Sequence, residues 1–233
     1  MQTNWLTYEQ VAEIFNGKTV AIVGSAPTVL ENDGNYIDSH DIVVRVNNYK
    51  LKPEKTGKRT DVHYSFYGNS IKKTSDELKK DGVYLCMCKV PDANTIESEW
   101  HKKNGKQFGV DFRWIYARRA QWWFCDTYAP TKPHFMKYFT LCGNRMPTTG
   151  FQCILEILSF NISKAYITGF DFFESKIHNV NEVWRPGRLD DPIGHNPKTE
   201  KEYILHLNDD RVIYDKHINR LRDSIKLEAT ARN

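Results

Sequence analysis

Four short segments place side chains capable of chemistry beside apolar runs. Gly194-His-Asn-Pro-Lys-Thr-Glu200 sets His195 in a loop just before a helical pattern. Imidazole titrates near neutrality, so such a histidine can act as a general base without extreme tuning, or be an ordinary surface or packing residue. Pro147-Thr-Thr-Gly-Phe151 opens a helix with Thr148, Thr149 and Gly150. The unused N–H groups of a helix start seat an anion or phosphate; a plain threonine N-cap reads the same way. Ile22-Val-Gly-Ser-Ala-Pro-Thr28 ends a strand in a small-residue turn, where Gly24, Ser25, Ala26 and Thr28 could receive a phosphate or ribose. It is not a G-x-G-x-x-G fingerprint, and a plain tight turn explains it equally. Asn47 follows the strand Asp41-Ile-Val-Val-Arg-Val46, and its amide suits a nucleobase or ribose, or caps a turn.

These segments need a scaffold that brings strand ends together. Thr19–Val23, Asp41–Val46, Asp61–Phe66, Val83–Cys88, Phe112–Tyr116, Ala165–Phe170 and Arg211–Tyr214 read as strands. Helical patterns cover Thr7–Phe15, Ser70–Lys80, 92–104, 151–160, Thr199–Leu207 and 215–227. This alternation predicts one α/β domain, a mostly parallel Rossmann-like sheet with helices on both faces. Residues 117–145 break the rhythm with Trp122, Trp123 and two prolines, and are predicted to be a helical insertion or lid. Residues 171–194 are predicted to be an irregular loop.

The bulk properties exclude some functions. The 233 residues carry a net charge of +4 with mixed signs and no long basic block, which argues against nucleic acid and suits an anionic small ligand. No apolar run approaches the ~20 residues of a membrane span, and no signal peptide is recognisable, so a cytoplasmic protein with at most peripheral membrane contact is expected. The five cysteines show no metal spacing and are expected to be reduced. Arg113, Arg118 and Arg119 could meet an acidic acceptor, and Lys216, Arg220, Arg222 and Lys226 a membrane surface; solvated helix faces explain both.

Together, VGS…IDSHDIVVRVNN…GKRTD, PTTGFQCILEIL…YITGF, His178 and GHNPKTE resemble the four motifs of the eukaryotic-type sialyltransferase family, in order, over residues 19–208. The large motif is similar to Val23 through Thr60, the small motif to Pro147 through Phe170, the third motif centres on His178, and the very small motif matches His195 and Glu200. Ser25 stands where the family usually has Asn. No Cys lies near the large motif, and Asn161 stands about where the small-motif Cys would be. No membrane anchor like that of the secretory-pathway members is expected either, and the chain looks like a soluble, bacterial-type relative.

The resemblance implies a GT-A-like variant fold and an inverting transfer from a CMP-activated ulosonic acid, sialic acid or Kdo, to a glycan that could be lipid-linked. Lipooligosaccharide or capsule synthesis is the implied setting. His195 would be the base and His178 would stabilise the leaving phosphate. Gly24, Ser25, Ala26, Thr28 and Asn47 on one side, and Thr148, Thr149, Gly150, Gly169 and Phe170 on the other, would hold the nucleotide. No cofactor is expected. No metal is expected either, since Asp190-Asp191 and Asp209-Asp210 are adjacent pairs whose side chains diverge on regular structure. A non-catalytic nucleotide- or glycan-binding module is the alternative of another class.

Overall fold

The computed structural model describes residues 5–67, 73–91, 124–175, 177–179, 182–183 and 195–231. Among the described residues, seven strands form one parallel sheet: β1 (Thr19–Val23), β2 (Ile42–Val46), β3 (Val62–Ser65), β4 (Leu85–Cys88), β5 (Asp126–Tyr128), β6 (Lys164–Thr168) and β9 (Val212–Tyr214), in the order β5-β4-β3-β2-β1-β6-β9. The chain runs outward from β1 to β5 and returns to lay β6 on the other side of β1. Strand order therefore reverses between β1 and β6, and in open α/β sheets such a switch point leaves a crevice at the carboxyl ends.

The helices are α1 (Tyr8–Phe15), α2 (Gly34–Asp38), α3 (Pro53–Thr56), α4 (Ser75–Lys80), α5 (Lys132–Leu141), α6 (Thr149–Ser159), α7 (Pro197–His206) and α8 (Lys216–Ala231). Their placement follows from strand alternation. Val20 and Ile22 of β1 pack with Ile154 and Ile157 of α6, while Ala21 and Val23 pack with Val29 and Ile37 on the opposite face. Both faces are thus covered, which is why every residue of β2 is buried. Among the described residues no helix is long and apolar enough to cross a membrane. All five cysteines are buried and unbridged.

Several boundaries differ from the sequence reading for local reasons. The Ser70–Lys80 helix begins only at Ser75, because Thr74 and Glu77 form a capping box. The Thr199–Leu207 helix begins at Pro197, since Asn196 caps it and proline fits a first turn. Within the expected insertion, α5 is helical as predicted, but Asp126–Tyr128 is the sheet's edge strand. Three residues with a polar start carry no periodic signal. The predicted loop after residue 170 contains a short hairpin, β7 (Ile177–Asn179) with β8 (Glu182–Val183). The helix predicted over 92–104, the strand Phe112–Tyr116, Arg113, Arg118, Arg119, Trp122 and Trp123 lie outside the described residues.

Candidate active site

A solvent-open cleft lies at the switch point. The turns after β1 and β6, the end of β2 and the starts of α6 and α7 build it. It brings together Gly24, Ser25, Ala26, Asn47, Thr148, Thr149, Gly150, Gly169, Phe170 and His195, ten of the residues singled out from sequence. Thr28 does not line it; that residue sits in the 3-10 helix Pro27–Glu31, with Oγ1 buried and without a partner among the described residues. His178 lies on β7, and its side chain is outside the described residues.

The glycines serve the scaffold. A Cβ on Gly24 would stand 2.2 Å from the Gly169 carbonyl oxygen, and one on Gly150 would stand 2.6 Å from the Phe170 ring. Gly169 has φ +75°, and its carbonyl accepts from Ala26 N–H at 3.0 Å. The two turns at the switch point therefore pack backbone against backbone.

Asn47 ends β2 in the left-handed region, φ 53°, which asparagine tolerates better than most residues. The Tyr67 N–H donates to Ser65 Oγ at 3.3 Å, and Ser65 Oγ donates to Asn47 Oδ1 at 3.0 Å. That relay occupies the amide oxygen and leaves Nδ2 as the group Asn47 offers to the cleft. The Asn47 carbonyl is fixed as well, accepting from His63 Nε2 at 2.9 Å.

Thr148 is an N-cap, and its hydroxyl is fully engaged. It accepts from Phe151 N–H at 3.1 Å and donates to Glu200 Oε2 at 2.5 Å. The Thr148 N–H donates to the other oxygen of Glu200 at 2.8 Å. The N–H groups of Thr149 and Gly150 are the ones α6 itself cannot use, and they belong to residues lining the cleft. An anion in this cleft would therefore meet backbone N–H groups at Thr149–Gly150, with Thr148 as their brace.

His195 and Glu200 grip the same loop from α7. His195 Nδ1 lies 2.7 Å from the Met146 carbonyl oxygen. A carbonyl can only accept, so Nδ1 carries the proton of the neutral ring and Nε2 is the basic nitrogen. Glu200 is 2% exposed, and burial pushes its carboxyl up to about 7, opposed by the hydrogen bonds from Thr148 and by the Lys89 charge.

Sequence reading missed the floor beyond Phe170. Asp171 is buried and accepts from the N–H groups of Phe173 (3.0 Å) and Ser175 (3.3 Å), and from the Ser175 hydroxyl. This turn holds Phe172 and Phe173 at φ 53° and 68°, both lining the cleft. Two consecutive left-handed aromatics are strained, and such strain collects at functional sites. No sequence signal announces it, because phenylalanine ordinarily avoids that conformation.

Residues 15–212 match the model of glycosyltransferase family 29 (sialyltransferase). Among solved structures, the sialyltransferase CstII from Campylobacter jejuni, crystallised with cytidine-5'-monophosphate, is similar at TM-score 0.54 and 16% identity, over 85% of this chain and 80% of that one. A mammalian sialyltransferase crystallised with Gal-beta-1-3GalNAc-ortho-nitrophenol is similar at TM-score 0.53 and 14% identity, over 88% and 71%. At these identities the structural likeness speaks for the fold. Comparison with curated protein sequences gives no significant match. The family match covers both sides of the cleft, from β1 through α7, and the chain belongs to glycosyltransferase family 29, the sialyltransferases.

Proposed function

We propose that this chain moves a sialic-acid-type sugar from a CMP-activated donor to a glycan hydroxyl, with inversion and with His195 as general base. The observation that carries this reading is the shared loop: the backbone anion seat at Thr149–Gly150 and a tautomer-fixed His195 are set by consecutive residues, Met146 to Thr148. Family membership supports the sugar, and the CMP and glycan ligands of the similar structures support the two substrates.

In the proposed reaction the acceptor oxygen forms a bond to the anomeric carbon as the carbon–oxygen bond to phosphate breaks. His195 Nε2 takes the acceptor proton, and CMP leaves with the bonding pair. The N–H groups of Thr149 and Gly150 stabilise the charge that grows on phosphate, and such preorganised donors are a large part of catalytic power. His178 is assigned to the same leaving phosphate. Asn47 Nδ2 and the Gly24–Ala26 turn hold the nucleotide, and the Phe172–Phe173 wall shapes the sugar side.

No divalent cation is part of this scheme. Asp209 is engaged by the Arg211 guanidinium at 2.7 Å, so the Asp209-Asp210 pair is not presented as a ligand set. The proposed setting is the cytoplasm, at the inner membrane face, with a lipid-linked acceptor of lipooligosaccharide or capsule synthesis. The test is CMP release from CMP-sialic acid and from CMP-Kdo, with and without EDTA. Transfer from CMP-sialic acid that survives EDTA is expected. Preference for CMP-Kdo would change the sugar, and CMP binding without release from either donor would favour a non-catalytic module.

A further inference from the structure

Behind the anion seat lies a second buried ion. Lys89 follows β4, is 3% exposed, and sends Nζ to the Pro147 carbonyl oxygen at 2.5 Å. Its own carbonyl accepts from Gln152 Nε2, in the first half of α6, at 2.7 Å. One residue thus holds the loop through its side chain and the helix that follows through its backbone. Three successive loop residues are then each gripped from elsewhere: Met146 by His195, Pro147 by Lys89 and Thr148 by Glu200.

We propose that Lys89 is a positioning residue for transfer, holding the anion seat in register with the base from behind the cleft. The inference rests on the functional reading above. Lys89 is not among the residues lining the cleft, so it acts through the loop and through Glu200. Burying a lysine is costly unless its charge is compensated. Burial pulls the Lys89 ammonium down to about 8, while Glu200 and the Cys142 and Cys88 thiols oppose the shift. The groups facing Glu200 are Thr148, Lys89 and Cys142, whose thiol donates to Oε1 at 3.8 Å. The ammonium helps keep Glu200 ionised, and an ionised Glu200 accepts both Thr148 bonds at once. A protonated Glu200 turns one acceptor into a donor and loosens the cap.

The test is Lys89→Met, read in two ways. Amide hydrogen exchange of the peptide spanning 146–151 should quicken by roughly tenfold, the loss expected when one charge-assisted bond of the loop is removed. CMP affinity followed by calorimetry from pH 6 to 8 should weaken with falling pH at a higher midpoint than in wild type, because Glu200 has lost its cation. Both proteins meet the same CMP, so the titration of the phosphate itself cancels in the comparison. Unchanged exchange with an unchanged midpoint overturns the proposal. Should Lys89→Met fail to fold, Lys89→Met/Glu200→Gln removes both buried charges and is compared with Glu200→Gln: exchange of 146–151 should be faster in the double variant, and equal exchange in the two overturns the proposal. Wild-type protein that binds no CMP would refute the functional reading, while the exchange measurement still decides what Lys89 does.

Discussion

His195 performs two tasks in this structure, and two substitutions separate them. Asparagine places an amide near the position of Nδ1 and can still donate to the Met146 carbonyl, but it has no basic nitrogen where Nε2 stands. Alanine loses both. A general base contributes roughly 10²–10⁴-fold, so turnover should fall by about that factor in His195→Asn and His195→Ala alike. The Met146 bond is neutral and worth about 0.5–1.5 kcal/mol net, so losing it should weaken CMP binding by at most about tenfold, in the alanine variant alone. Initial rates of CMP release give the first quantity and calorimetry with CMP gives the second. Near-normal turnover in His195→Asn would remove His195 from the base role. Equal CMP affinity in wild type and both variants would mean that the Met146 bond does not steady the seat.

Three further outcomes follow from the geometry. Gly24→Ala drives a Cβ to 2.2 Å from the Gly169 carbonyl, so the switch point must open and the melting temperature should drop by several degrees; an unshifted melt would refute the backbone contact. Asn47→Asp replaces the donor Nδ2 with a carboxylate facing an anionic ligand, and CMP affinity should fall by roughly tenfold or more, whereas an unchanged affinity would take Asn47 out of the nucleotide site. Glu156, buried in the core with Tyr64 OH donating to it at 2.6 Å, has its carboxyl pushed up to about 7 by burial. A carboxyl raised in the folded state stabilises the protein as it takes up its proton, so stability should rise as pH falls from about 7 toward the unfolded value. Glu156→Gln should flatten that rise in chemical denaturation at pH 5 and 8, by no more than about 3 kcal/mol; an unaltered slope would clear Glu156.

The sequence made the frame legible wherever one residue's neighbours decide its state. Val20 to Val23, Ile42 to Val44 and Ala165–Thr168 read as buried strands from their apolar runs, whereas the place of β6 beside β1 rests on pairing distant along the chain and was not legible. Cleft residues next to those strand ends were accordingly found. What stayed hidden depends on partners distant along the chain. Thr148 offers the same hydroxyl whether it binds a ligand or caps a helix, and Glu200, 52 residues away, decides the matter. Lys89 looks like a surface lysine until Pro147 is brought to it. Phe172 and Phe173 are the local exception: they carry no mark of their left-handed backbone, because phenylalanine ordinarily avoids it and an Asp before them is common.

The position of β6 beside β1 also bears on how the chain acquires its activity. Thr19 pairs with Lys164, so the two walls of the cleft are among the most distant parts of the chain that touch. Closing so long a loop is entropically slow, and the outward run from β1 to β4 can pair locally first. Gly24 and Gly169 meet only once the returning strand β6 has docked on β1. A chain stopped before Thr168 would lack one wall of the cleft and leave the outer edge of β1 unpaired. Any ligand held between the two walls would favour that docking step and so stabilise the fold.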